Sequence, residues 1–355
     1  MTFFNRRFQF SDFMRSSIGL LLFYFFGCSS DGSKSEYSWN GSTMGTTYLI
    51  KISQVEIEQT VLRQLQTKVE NALIEVNREM STYDPQSEIS RFNRFIDTTA
   101  FPVSQQLIKV ISTAVDVYHK SKGSFDITVA PLVNLWGFGT EGRRNDIPSD
   151  DEISLLKSKV GSQNLVIVDT THLRKRIPDL QIDLSAIAKG YGVDVVAGII
   201  QSFGYQNYMV EIGGEVVAHG VNASREVWKI GVDRPSYNLL PGEELEAILA
   251  LKDIAVATSG DYRNYFEVAG KQFSHTIDPK TGMPIIHGLA SATIIAPNCM
   301  QADALATAVM VMGKDKAIPW IEDLSQVEGL LITRMKDGTF EESQTSGFGK
   351  YLLED

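Results

Sequence analysis

From Tyr208 onward the chain is cut into short β-prone runs, Tyr208 to Ile212, Glu215 to His219, Val227 to Val232, Glu246 to Leu251, Ala255 to Ser259 and Ala290 to Ala296. Most are joined by links too short to carry a crossover, and strands joined that way pair antiparallel. Two helices, at about 300–312 and 314–322, interrupt the strands. The first half reads differently. A short strand at Thr47 to Ile52 leads into a long amphipathic helix from about Val55 to Met80, with Val61, Leu65, Val69, Leu73 and Val76 on one face. A loop is expected over 81–93, and a second helix over Pro102 to Lys120 with a cap at Ser104. The prolines and glycines of GSFDITVAPLVNLWGFG, 123–139, predict an ordered loop with only a short helical stretch. After a polar segment, Thr140 to Asp151, a strand is expected at Leu165 to Asp169 and a helix at Ser185 to Phe203. The expected class is therefore mixed α/β (α+β), dominated by antiparallel sheet.

The N-terminus has a composition of its own. Arg6, Arg7 and Arg15 form a basic start, Ile18 to Phe26 is an apolar run, and Gly27 precedes Cys28. The run is too short for a stable membrane-spanning helix and reads as a secretory signal peptide over residues 1–27. A small residue directly before a Cys resembles the lipobox of bacterial lipoproteins, in which the Cys, here Cys28, is lipidated and becomes the new N-terminus. Phe25 departs from that pattern, since an aliphatic residue is expected there, and a plain cleaved signal with an incidental Cys is the other reading. Ser29 to Ser38, rich in Ser, Gly and charge, suits a flexible tether. The expected organisation is a signal peptide over 1–27, a lipidated tether over 28–39 and one domain over 40–355, placed in the bacterial cell envelope and held to a membrane through the N-terminal lipid.

Loss of the first 27 residues removes Arg6, Arg7, Arg15 and Asp12, so the formal charge of −10 becomes −12. Such an acidic chain has no electrostatic case for nucleic acid. It retains two cysteines, Cys28 and Cys299, and acylation of Cys28 would leave no disulfide. At 355 residues and 43% hydrophobic composition the chain is long enough to rely on its core.

Three segments carry candidate chemistry. In MQADALATAVM, 300–310, Asp303 and Thr307 are four apart and share one face of a helix. Their neighbours are almost all apolar, and an unpaired carboxylate there costs on the order of several kcal/mol. The pair looks like half of a magnesium site; a capping Asp with a Thr bonded back to its own backbone is the alternative. In IDLSAIAKGYGVDVVA, 182–197, a strand ends at Asp183 and a helix begins shortly after, where free amides suit phosphate oxygens and Lys189 could reach an anion. There Asp183 or Ser185 could equally be a plain cap, with Lys189 solvated. In FSHTIDPKTGMPI, 273–285, His275 precedes a turn and is a candidate general base, or a structural His.

These blocks, together with STMGTTY at 42–48, STYDPQSEISRFN at 81–93, EIGGEV at 211–216 and TSGDYRNYF at 258–266, resemble the ApbE family of FAD:protein FMN transferases in order and spacing, over roughly residues 40–335. The resemblance implies one compact α/β unit with a T-fold-like antiparallel sheet core flanked by helices and a ligand cleft between two lobes. It implies FAD as substrate and magnesium as cofactor, with FMN moved as a phosphoester onto a Ser or Thr hydroxyl of a partner protein and AMP released. By the same resemblance Met44 and Tyr83 contact the flavin end, Ser124, Phe125 and Asp126 line the nucleotide, and Asp183, Lys189 and Ile277 complete the FAD contacts. Asp303, Thr307 and the carbonyl of Ala186 hold the metal, an all-oxygen set suited to magnesium. His275 takes the proton from the acceptor hydroxyl.

Family acceptors carry an Asp, two residues, a Ser or Thr, a Gly or Ser, then Ala-Thr. HGLASAT, 287–293, has His287 and Ala290 where the Asp and the hydroxyl belong and reads as an internal strand. A partner is therefore required, expected among exported subunits of flavin-dependent redox complexes. Water as acceptor would make the same site an FAD pyrophosphatase, and a flavin carrier without chemistry is the third alternative.

Overall fold

Two-residue turns organise the second half of the chain and its first hairpin. Met44-Gly45 and Gly213-Gly214 both have positive φ at each position, 49° and 74° in the first, 59° and 97° in the second. That geometry matches the natural twist of two antiparallel strands and is why glycine is needed there. The computed structural model describes residues 36–140, 142, 144, 146–235, 243–261, 265–268 and 271–353; the signal segment and Cys28 lie outside these.

In chain order the elements are β1 (Glu36–Thr43), β2 (Thr46–Ser53), α1 (Gln59–Met80), α2 (Glu88–Arg94), β3 (Phe101–Pro102), α3 (Gln105–Lys120), α4 (Ala130–Leu135), α5 (Asp150–Lys157), β4 (Leu165–Asp169), β5 (His172–Lys175) and α6 (Ala188–Ser202). There follow β6 (Tyr208–Ile212), β7 (Glu215–His219), β8 (Trp228–Asp233), β9 (Leu245–Leu251), β10 (Ile254–Gly260), β11 (Tyr265–Val268), β12 (Lys271–Ser274), β13 (Leu289–Ala296), α7 (Cys299–Met312), α8 (Lys314–Glu322), β14 (Glu328–Arg334) and β15 (Phe340–Gln344). Eight strands form one sheet in the order β1-β2-β6-β7-β10-β13-β14-β15, antiparallel at every step.

Alternation along the strands divides the core between the two faces of this sheet. On β13, Ala292, Ile294 and Ala296 join α3 and α7, while Ile295 joins Trp228 of β8, Leu249 and Leu251 of β9, and Phe348. On β6, Tyr208, Val210 and Ile212 pack with Leu65, Val69 and Leu73 of α1 and with Val193, Val196 and Ile200 of α6; Met209 points to the opposite face. Helices thus cover one face and the β8–β9 hairpin with the C-terminal turn covers part of the other. β13 is buried along its whole length because both of its faces are covered. This is the mixed α/β architecture, antiparallel sheet with flanking helices, that the strand pattern predicts, and the described residues fall in one compact unit.

Four boundaries differ from expectation. β1 starts at Glu36, inside the segment assigned to the tether, because Tyr37 and Trp39 alternate onto the core beneath β2. α2 lies in the stretch expected to be loop: Ser87 caps it by accepting from the Ser90 amide at 3.1 Å, and Ile89 and Phe92 are buried. α5 grows from the polar segment on a capping box between Ser149 and Glu152. α6 begins at Ala188, three residues after Ser185, and has no side-chain cap. The expected cap at Ser104 is present and accepts from the Leu107 amide at 3.1 Å.

Glu79, 6% exposed near the end of α1, has its carboxyl pushed up from 4.5 to about 7 by burial, opposed by a bond from Ser104 and reinforced by Glu88 and Glu75. A carboxyl whose folded value lies above its unfolded value favours folding when protonated, so that stabilisation is complete below about pH 4.5 and is lost as pH rises through about 7. Glu79→Gln stays neutral. It should melt close to the wild type at pH 5 and above it at pH 8; equal shifts at the two values would show that Glu79 does not titrate in this range.

Candidate active site

The seam between α6 and α7 is the tightest contact near the site. A Cβ on Gly190 would lie 2.3 Å from the Cys299 carbonyl oxygen, so only glycine lets the helices meet at this distance. Asp194, on the next turn of α6, accepts from the Cys299 and Met300 amides, both at 2.9 Å, and with Asn298 it satisfies the first amides of α7. Burial pushes the Asp194 carboxyl up to about 6, against the pull of those two amides. The seam brings Asp303 under α6, where its Oδ2 accepts from the Gly190 amide at 3.0 Å. Asp303 is 2% exposed and lies in the helix interior. It does not cap its own helix, but through Gly190 it takes up a first-turn amide of α6.

Beside it, Lys189 donates to Glu215 Oε1, and its Nζ stands 3.8 Å from Asp303 Oδ1. Burial works to lower the Lys189 ammonium, but Asp303 and Glu215 more than reverse it and hold it above its ordinary range. Burial raises the Glu215 carboxyl and the Lys189 ammonium pulls it back down, so the two groups hold each other as an ion pair. Among the described residues Glu215 Oε2 is buried without a hydrogen-bond partner. Thr307, one turn beyond Asp303, shares a 3.3 Å hydrogen bond with Ser259 of β10.

These groups line one cavity of about 640 Å³. Ala186, Asp183, Ser124, Phe125, Asp126, Ile277, His275 and the 73%-exposed Tyr83 line the same space. The segment bearing Asp183 is fixed from two sides: Asn93 of α2 exchanges two 2.8 Å bonds with the Ile182 backbone, and the Asp183 amide donates to Ile127 O at 2.8 Å. The Asp183 carboxylate accepts from the Ser185 amide at 2.7 Å, closing a turn ahead of α6 instead of capping it. Asp126 is consumed by the fold. Its carboxylate accepts from the Thr128 amide and hydroxyl and from the Ser162 amide and hydroxyl, at 2.7–3.2 Å. His275 follows β12 directly and meets the Phe138 ring edge-on at 6.3 Å between centroids. Past it, Ile277 bridges Pro284 and the Thr276 carbonyl accepts from the Ile285 amide, so the turn carrying His275 closes on itself.

Of the residues expected in the cleft, Met44 alone is not brought to the wall. It is partly buried and packs against the edge of the core, where its methyl would be 2.6 Å from a Cβ on Gly192. No local sequence signal marks Glu215 or Phe138 as part of this cavity. The Gly-Gly pair ahead of Glu215 is a hairpin signal that places it at the start of a strand, but only the fold shows that the strand start meets Lys189.

The donor set fits a magnesium ion. A carboxylate oxygen of Asp303 with only a long contact to an ammonium, the Thr307 hydroxyl and the neighbouring Ala186 backbone are all hard oxygen ligands, and the residual burial cost of Asp303 is what a cation would relieve.

Fold and cavity define a mixed α/β protein whose sheet and helices enclose a cavity with acidic, basic and aromatic side chains on its wall. The ApbE family profile matches residues 44–331. The FAD:protein FMN transferase of Vibrio cholerae serotype O1 is 44% identical over 327 residues, covering 92% of this chain and 95% of that one. That of Escherichia coli K12 is 36% identical over 322 residues, 88% of each. Among solved structures, the flavin transferase ApbE from Vibrio cholerae superposes with a TM-score of 0.80 at 42% identity, covering 90% of this chain and 99% of that one. The Thermotoga maritima ApbE protein gives 0.78 at 31% identity, covering 90% and 100%. The chain belongs to the ApbE family.

Proposed function

We propose that this protein is a magnesium-dependent FAD:protein FMN transferase. One observation carries the reading: Asp303, Thr307, Ala186 and Lys189 line the same cavity as Tyr83 and His275, so a cation position, a flat aromatic surface and a base surround one space. Asp303, Thr307 and the Ala186 carbonyl would hold the magnesium ion, which when bound neutralises charge on the pyrophosphate. Tyr83 presents a flat face to the isoalloxazine ring. Lys189 offers a fixed positive charge to the phosphates. His275 accepts the proton of the acceptor hydroxyl; the oxygen attacks the phosphorus on the riboflavin side, the bond to the bridging oxygen breaks, and AMP departs with that electron pair. The products are the phosphoester and AMP.

The same reading makes residues 1–27 a cleaved signal, Cys28 the lipidated residue and the chain a lipoprotein of the bacterial envelope, with acceptors among exported subunits of redox complexes. Among the described residues no helix is long and apolar enough to cross a membrane.

To test it, the full-length chain is incubated with FAD, magnesium and an acceptor domain bearing the family's acceptor sequence. An FMN-sized mass gain on the acceptor with equimolar AMP is expected. His275→Ala should slow transfer by about 10²-fold or more while leaving FAD affinity within a few-fold. Full transfer by that variant removes His275 as the base, and AMP release without mass gain makes the protein a hydrolase.

A further inference from the structure

We propose that Glu215 is a positioning residue that holds Lys189 away from Asp303 and so leaves Asp303 able to take a divalent cation; the inference rests on the cation position described above. The Lys189 ammonium lies between two buried carboxylates. It gives its hydrogen bond to Glu215 Oε1 and stays 3.8 Å from Asp303 Oδ1. Asp303 Oδ2 is already occupied by the Gly190 amide, so Oδ1 is the oxygen left for a metal. A lysine ammonium is a compact charge on a flexible stem and moves to whichever anion is nearest. Without the Glu215 carboxylate, the anion within reach is Asp303, and the ammonium would compete with the cation for the same oxygen.

Two further observations fit this role. The hairpin that carries Glu215 also lies against the lysine stem: a Cβ on Gly213 would stand 3.4 Å from Lys189 Cδ and 2.8 Å from the Thr46 methyl. Lysine and glutamate are therefore held by one rigid turn. Among the described residues the other carboxylate oxygen of Glu215 is buried and has no hydrogen-bond partner, so the side chain is not tied through it to another element of the fold. Its ion pair is with Lys189.

The test measures Mn2+ binding to the purified full-length chain by electron paramagnetic resonance, without FAD. The wild type should bind and Asp303→Ala should not. Glu215→Gln should weaken Mn2+ by about 10-fold or more, the range found when outer partners of metal ligands are removed, and Glu215→Gln combined with Lys189→Met should return to within about threefold of wild type. That rescue is the decisive sign, because a residue that merely supports the fold gains nothing from losing its lysine. Wild-type affinity in Glu215→Gln, or a double variant as weak as the single, overturns the proposal. If Glu215→Gln does not fold, the charge-balanced double variant carries the test, and a loss of about 10-fold there overturns the proposal as well. No Mn2+ binding by the wild type would instead remove the cation position itself, and this inference with it.

Discussion

Asp303→Ala should reduce FMN transfer by about 10³-fold or more, because the charge that a bound metal neutralises in phosphoryl transfer is worth several kcal/mol. The carboxylate is buried in α7, and the cavity offers no second acidic group on that helix face to replace it. The substitution also strips the Gly190 amide of its acceptor, which costs about 1–3 kcal/mol for a buried donor. Asp303→Asn separates the two effects. It keeps an oxygen for the amide, so it should melt near the wild type while losing transfer and Mn2+ binding alike. Initial rates of AMP release, followed beside thermal melts, decide the matter: an Asn variant that retains a substantial fraction of wild-type transfer would place the metal elsewhere.

Gly190→Ala should have the largest effect on the fold. The added carbon would meet the Cys299 carbonyl oxygen at 2.3 Å, its carbon at 2.7 Å and the Met300 Cα at 2.8 Å. All three are backbone atoms, so no rotamer change relieves the contact and α6 must move off α7. Overpacking of this sort costs typically about 1–3 kcal/mol, and more where the backbone must yield. The expected result is a fall in melting temperature of roughly 2–5 °C, together with loss of Mn2+ binding as the grip on Asp303 loosens. An unchanged melting temperature would mean that the helices do not approach as closely as described. Gly198 on the same helix is the control, since a Cβ there meets nothing within 4 Å.

The sheet was legible from Tyr208 onward because its strands are short, β-branched and punctuated by turn glycines, signals that act over a few residues. That Asp303 and Thr307 share one helix face was legible for the same reason, since one helical turn relates them. α2 and α5 escaped because their apolar faces are narrow and their caps, Ser87 and the Ser149–Glu152 pair, lie in polar stretches that read as loop. Asp126 shows a different limit. Its use by Ser162 spans 36 positions of sequence, and no local pattern discloses that a cavity-lining carboxylate is already spent on the fold. Glu215 shows the converse: a residue that looks like the ordinary start of a strand meets a lysine from a helix 26 positions away.

α7 has core on nearly every side, with Asp303 among its buried residues. Amide protons on such a helix exchange with solvent only when the domain opens globally, over minutes to hours. The turn after His275 is closed by backbone bonds that the Asp278 amide donates to Met283 O, the Gly282 amide to Asp278 O and the Ile285 amide to Thr276 O, and it ends at Ile286, which is 94% exposed. Under the proposed function the nucleotide's phosphates would be received by the part of the molecule slowest to open, and the incoming protein would arrive beside an apolar side chain, Ile286, that stands in solvent.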